Sequence, residues 1–183
     1  MEQRGGSLKS SERVEPEAYS WLVSLKLGDL IGQTEIRYGQ VWATVEPARL
    51  PEVVQILKED PDLDCGYFTF LCAIDWQDKG FEVVVVLCSI SRGVTVGLKV
   101  PLAPGVTSLP SLTGVFRGAN WHEREAAEMF GLSFENHPNL TKLYLAEDFV
   151  GHPMLKSFKL ASRTYKPWPG AKDPGEAAGG GRG

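Results

Sequence analysis

The stretch FEVVVVLCSISRGVTVGLKVP, residues 81–101, decides how this chain folds. Phe81 to Ser89 holds four consecutive valines, a continuous apolar run that suits a central strand covered on both faces. Gly93 to Pro101 alternates instead. Val94, Val96, Leu98 and Val100 are set against Thr95, Gly97 and Lys99, the period-two pattern of a strand with one face on a core. Only Ile90 to Arg92 separate the two runs, so they are expected to pair antiparallel, because a parallel pair needs a crossover of roughly a dozen residues.

Upstream, Cys65 to Ile74 is rich in aromatic and aliphatic residues and reads as a half-buried strand, with a polar turn over Asp75 to Gly80. Leu50, Val53, Val54 and Leu57 recur at i, i+3, i+4 and i+7, which predicts a helix over 47–59 whose start Pro51 delays. Thr34 to Arg37 and Gln40 to Val45 form a candidate hairpin around Tyr38-Gly39. Pro16 to Leu27, broken by Gly28 and Gly32, predicts a first helix with Trp21, Leu22 and Leu25 on its apolar face. The order of these elements implies an α+β fold: a mixed, mainly antiparallel sheet of four to five strands packed with helices, followed by an extended C-terminal docking segment.

That segment begins where prolines 101, 104 and 110 give way to one well-marked helix. Asn120 is the expected N-cap, Glu123 completes a capping box, and Gly131 ends the helix. Trp121, Arg124, Glu125 and Glu128 fall on one face, with His122, Ala126, Met129 and Phe130 toward the other. Leu132 to Phe158 shows no sustained period and is interrupted at His137-Pro138 and His152-Pro153, so it reads as an extended stretch that needs a surface to lie against. The expected organisation is a flexible N-terminus (1–14), an α+β domain (15–118), the helix with its docking segment (119–165) and a Pro/Gly-rich tail (166–183).

At 183 residues the chain can bury about 70% of its unfolded surface without an external staple. A net charge of −4 with scattered basic residues argues against nucleic acid as a partner. No apolar run approaches the roughly 18 residues that span a bilayer. Met1 to Arg13 lacks an apolar signal core and carries two glutamates, so neither a secretory signal nor a transit peptide is expected. Cys65, Cys72 and Cys88 form no CxxC pair and are expected to be reduced core residues.

His122-Glu123 resembles the start of a helical HExxH zinc motif, but position 126 is alanine and the second imidazole is absent. Glu125 and Glu128 share a helical face, yet no ExxH accompanies them for a carboxylate-bridged metal. Neither a nucleophile elbow nor a phosphate-binding glycine motif occurs. Two readings of the charged helix remain: a solvated face above a core face, or a network in which Arg124 pairs with carboxylates against a second protein.

The run from Ala119 to Phe158 resembles the C subunit of NADH:quinone oxidoreductase, the 30-kilodalton subunit family. The shared features are Trp121, Glu123, Arg124 and Glu125; Glu128, Met129, Phe130 and Gly131; Phe134, His137, Pro138 and Leu140; then Glu147, Asp148, Gly151, His152 and Pro153. Looser likeness reaches back to about residue 60. Two departures stand out. Met154, Leu155, Lys156 and Ser157 replace the usual Leu-Arg-Lys-Asp, and Glu128 replaces an Asp. Lys156 survives, but a salt bridge inferred for the usual Arg or Asp does not carry over to Leu155 or Ser157.

The resemblance implies a structural subunit that binds no cofactor itself and has no active site of its own. FMN and iron–sulfur clusters would reside on partner subunits of a proton-translocating complex. Independently, three separated cysteines fall short of the four thiolates such a cluster normally takes. The implied partners are chiefly the D subunit and also the B and I subunits, with membrane contact only through the complex, on the cytoplasmic side of a bacterial membrane. The implied interface comprises Trp121, Glu123, Arg124, Glu125, Glu128, Phe130, Gly131, Phe134, His137, Pro138, Gly151, His152, Pro153 and Lys156. The equivalent subunit of a membrane-bound hydrogenase or formate hydrogenlyase remains the alternative.

Overall fold

The computed structural model describes residues 13–159. Expectations for the flexible N-terminus up to residue 12, for 160–165 and for the tail at 166–183 lie outside the described residues. Helix α1 (Pro16–Leu27) leads into strands β1 (Ile31–Arg37) and β2 (Gln40–Val45), then helix α2 (Leu50–Glu59). Strands β3 (Tyr67–Asp75), β4 (Phe81–Ser89) and β5 (Val94–Leu102) follow, with short strand β6 (Ser108–Pro110), helix α3 (Ala119–Phe130) and short strand β7 (Ser133–Glu135). The fold is α+β, with a five-stranded sheet in the order β1-β2-β5-β4-β3.

All pairings in that sheet are antiparallel except β2 with β5, which is parallel. The chain reaches this pair by passing through α2, β3 and β4, a crossover that no local pattern encodes. β4 lies between β5 and β3, and Val83 to Leu87 are all buried, as the valine run predicts. Tyr38 (φ 54°) and Gly39 (φ 73°) both take the left-handed backbone that a tight hairpin turn demands. Gly32 does not break the chain; it lies inside β1, beside an irregular register between Ile31 and Thr34.

The apolar face of α1 differs from the expectation. Tyr19, Val23 and Leu27, spaced four apart, are buried on β1 and β2, whereas Trp21 and Leu25 are exposed. Tyr19 decides the rotation, because its hydroxyl donates to the Leu63 carbonyl at 2.5 Å while its ring enters the core. Pro47–Arg49 forms a 3-10 turn before α2 begins at Leu50, the delay expected from Pro51. Of the cysteines only Cys65 is buried; Cys72 is exposed and Cys88 half-buried. Burial pushes the Cys65 thiol up to about 12.

α3 packs on β3, and Ala119, Ala126 and Phe130 join the same apolar core as the sheet. Among the described residues no helix is long and apolar enough to cross a membrane.

Candidate functional site

α3 starts differently from the expected capping box. Its N-cap is Gly118 and no side chain caps it. Glu123, fully buried, turns away to accept from the Ser111 hydroxyl at 2.6 Å and the Leu112 amide at 2.6 Å, tying the loop before the helix to its second turn. Burial raises its pKa above the ordinary 4.5, with the two donors opposing that rise. Beside it lies His137, whose Nδ1 accepts from the Asn139 amide at 3.0 Å. That bond needs an unprotonated Nδ1, so the ring hydrogen sits on Nε2, 3.4 Å from the Asn120 carbonyl and 3.8 Å from Glu123 Oε2.

Glu128, in the last turn of α3, is the second buried carboxylate of that helix. It accepts three consecutive amides, Leu143 (3.0 Å), Tyr144 (2.9 Å) and Leu145 (2.7 Å). Desolvation pushes its pKa up, but these donors and Lys142 outweigh that and hold it below the ordinary carboxylate value. Among the described residues Arg124 pairs with no carboxylate. Its Nε donates to the Thr141 carbonyl and its Nη2 to the Lys142 carbonyl, both at 2.9 Å, while its guanidinium lies 5.3 Å from the Trp121 ring centroid. A guanidinium's fork suits adjacent carbonyls as well as it suits a carboxylate. Lys142 then donates to the carbonyls of Ala146, Glu147 and Phe149.

The stretch after α3 therefore finds its surface on its own chain. The Met154 amide bonds the Met129 carbonyl, His152 Nδ1 donates to the Glu128 carbonyl at 2.8 Å, and the Lys156 amide donates to Asp75 Oδ2 at 2.9 Å. Gly131 (φ 76°) ends the helix left-handed, and a Cβ there would lie 2.8 Å from His152 Nε2. Gly151 (φ 94°) likewise leaves room for the Phe158 ring, which stacks on Phe149.

The structure thus brings Arg124, Glu128, Gly151 and His152 around one cleft of about 180 Å³ that Thr141 and Lys142 also line, while Trp121 stands outside its lining, against the Arg124 guanidinium. Glu123 and His137 form a separate buried pair, and Phe130 and Phe134 belong to the core. Lys156 sits at the Asp75 corner with its ammonium 5.5 Å from the Trp76 ring centroid. Glu125 is half-buried beside Cys72, while Pro138 is exposed and Pro153 half-buried. Sequence reasoning missed Ser111, Asp75 and Lys142. Only Asp75 carried a signal, as an Asp two residues before Gln77 in a polar turn. Among the described residues no group of three or more His, Cys, Asp or Glu side chains could hold a metal ion.

Residues 43–164 match the family model described as respiratory-chain NADH dehydrogenase, 30 Kd subunit. The NADH-quinone oxidoreductase C subunit of Roseiflexus sp. (strain RS-1) is 38% identical over 135 residues, covering 73% of this chain and 77% of the relative. Its namesake from Citrifermentans bemidjiense is 38% identical over 143 residues, 77% of this chain and 87% of the relative. Among solved structures, a trypsin-resistant fragment of Nqo5 superposes with a TM-score of 0.56 at 22% identity, covering 66% of this chain and 97% of the fragment. A chain of the membrane-bound sulfane sulfur reductase, an archaeal respiratory membrane complex, gives 0.60 at 19% identity over 72% of this chain and 77% of that one. At these identities the two structures speak for the fold alone.

Proposed function

Because the chain belongs to the 30-kilodalton subunit family of respiratory-chain NADH dehydrogenase, we propose that it is a structural subunit of the peripheral arm of a proton-translocating NADH:quinone oxidoreductase. In this reading it holds no cofactor. Electrons pass from NADH through FMN and iron–sulfur clusters on partner subunits to quinone, while this chain fixes the geometry of its neighbours. Residues 15–118 form its scaffold, and 119–165 dock chiefly on the D subunit and also on the B and I subunits. The whole sits on the cytoplasmic side of a bacterial membrane and reaches the bilayer only through the complex.

The observation that carries this reading is the use made of the charged helix. Glu123, Arg124 and Glu128 bind their own chain's hydroxyl, amides and carbonyls, a shape-holding role, while Trp121 stays 60% exposed beside them. An exposed tryptophan on a rigid, hydrogen-bonded platform suits an interface anchor.

A tagged chain expressed in its host should bring down NADH- and quinone-binding subunits. Trp121→Ala and Glu125→Lys should each lower that recovery while the free chain unfolds at an unchanged temperature. Recovery with a large subunit bearing nickel-site cysteines would instead assign the chain to a hydrogenase-type complex. Unimpaired recovery of both variants would remove α3 from the interface.

A further inference from the structure

The loop formed by residues 139–151 is held by Arg124 and Glu128 of α3 and by its own Lys142, all of which bind its backbone. Beyond that frame it carries two carboxylates with no such duty. Glu147 and Asp148 are exposed, and their side chains have no partner among the described residues. Next to them Val150 is 87% exposed and Tyr144 64% exposed. A loop fixed this firmly yet carrying uncovered apolar side chains already has the order that binding would otherwise impose.

We propose that Tyr144 and Val150 enter an apolar recess on a neighbouring subunit, and that Arg or Lys side chains on its rim meet Glu147 and Asp148. The proposal rests on the docking reading above and names the chemistry of the docked surface. Charge selects the occupant. A bilayer's anionic cytoplasmic face would repel the two carboxylates. A second copy related by two-fold symmetry would set them against their own kind. A cationic-rimmed protein surface attracts them and leaves an apolar centre for Val150.

The test compares recovery of the assembled complex on tagged full-length chain at about 0.05 M and about 0.5 M NaCl, where the screening length falls to roughly 4 Å. The double variant Glu147→Gln/Asp148→Gln should associate about fivefold more slowly at low salt and match wild type at high salt. Val150→Asp should lower recovery about tenfold or more at both, since it places a charge in an apolar recess. Both free variants should unfold like wild type, because these side chains support nothing within the chain. A salt-independent double variant overturns the cationic rim, and normal assembly of Val150→Asp overturns the recess. If wild type is recovered with another assembly, the respiratory assignment fails while the same variants still judge the loop; if it is recovered with none, both fail.

Discussion

Replacing Glu128 by alanine removes the single acceptor shared by the amides of Leu143, Tyr144 and Leu145. A hydrogen bond to a charged acceptor contributes about 1.5–3 kcal/mol, and water repays part of that once an amide near the surface is released. Three such bonds on one carboxylate do not add fully, so the loop should lose about 3 kcal/mol of closing free energy. At about 1.4 kcal/mol per decade, that is roughly a hundredfold loss of protection against hydrogen exchange at these three amides. Glutamine keeps one carbonyl oxygen but no charge, and should lose about tenfold. Amides deep in the sheet, such as those of Val85 and Leu98, should keep their protection in both variants.

The pH dependence gives a second reading of the same bond. The folded carboxyl titrates below its unfolded value, so its contribution is complete above about pH 4.5 and is lost as the pH falls through the lowered folded value. Protection of the three amides in wild type should therefore collapse on acidification, and in the glutamine variant it should be low and flat. Wild-type exchange rates in Glu128→Ala would refute the reasoning, and so would an equal loss across the sheet, since the effect would then be global.

Glu123 shows the opposite linkage. Its folded pKa is raised, so on raising the pH the unfolded chain ionises first and stability falls between pH 4.5 and the higher folded value. Glu123→Gln should erase that slope in urea titrations, whereas Glu123→Ala, which orphans Ser111 and Leu112, should cost about 2–4 kcal/mol. Gly131→Ala combines a left-handed backbone with a Cβ 2.8 Å from His152 Nε2. It should destabilise the chain by about 2 kcal/mol, and NMR of the imidazole should show the bond to the Glu128 carbonyl lost. Gly97→Ala would place a Cβ 2.3 Å from the Trp42 ring, so it should lower the unfolding free energy by about 1–3 kcal/mol and shift tryptophan emission.

Elements whose signal is local periodicity were legible in the residues: the valine strand, its alternating neighbour, α2 and the hairpin at Tyr38-Gly39. What escaped depends on distant partners. The parallel join of β2 to β5 is a consequence of sheet order, and the rotation of α1 follows from a Tyr19 bond to Leu63, 44 residues away. The capping box failed for a related reason. Glu123 met the local rule, but Ser111 and Leu112 offered a buried alternative that no spacing within the helix reveals. Carboxylates that bind backbone amides leave no motif, because the partner group is common to every residue except proline.

This invisibility bears on how a charged helix is read. A glutamate held by three amides has its ionised form stabilised and its oxygens occupied, and both properties work against proton transfer near neutral pH. The same occupancy suits it to setting shape, because breaking the loop would strand three donors and a charge together. Arg124 and Lys142 complete the frame by saturating carbonyls of the same loop. What this frame leaves exposed is Trp121, Tyr144, Val150, Glu147 and Asp148, the side chains that the proposed docking would use. Substitutions in the frame should act through loop order and substitutions on the outside through association alone, so exchange rates and recovery should separate the two sets residue by residue.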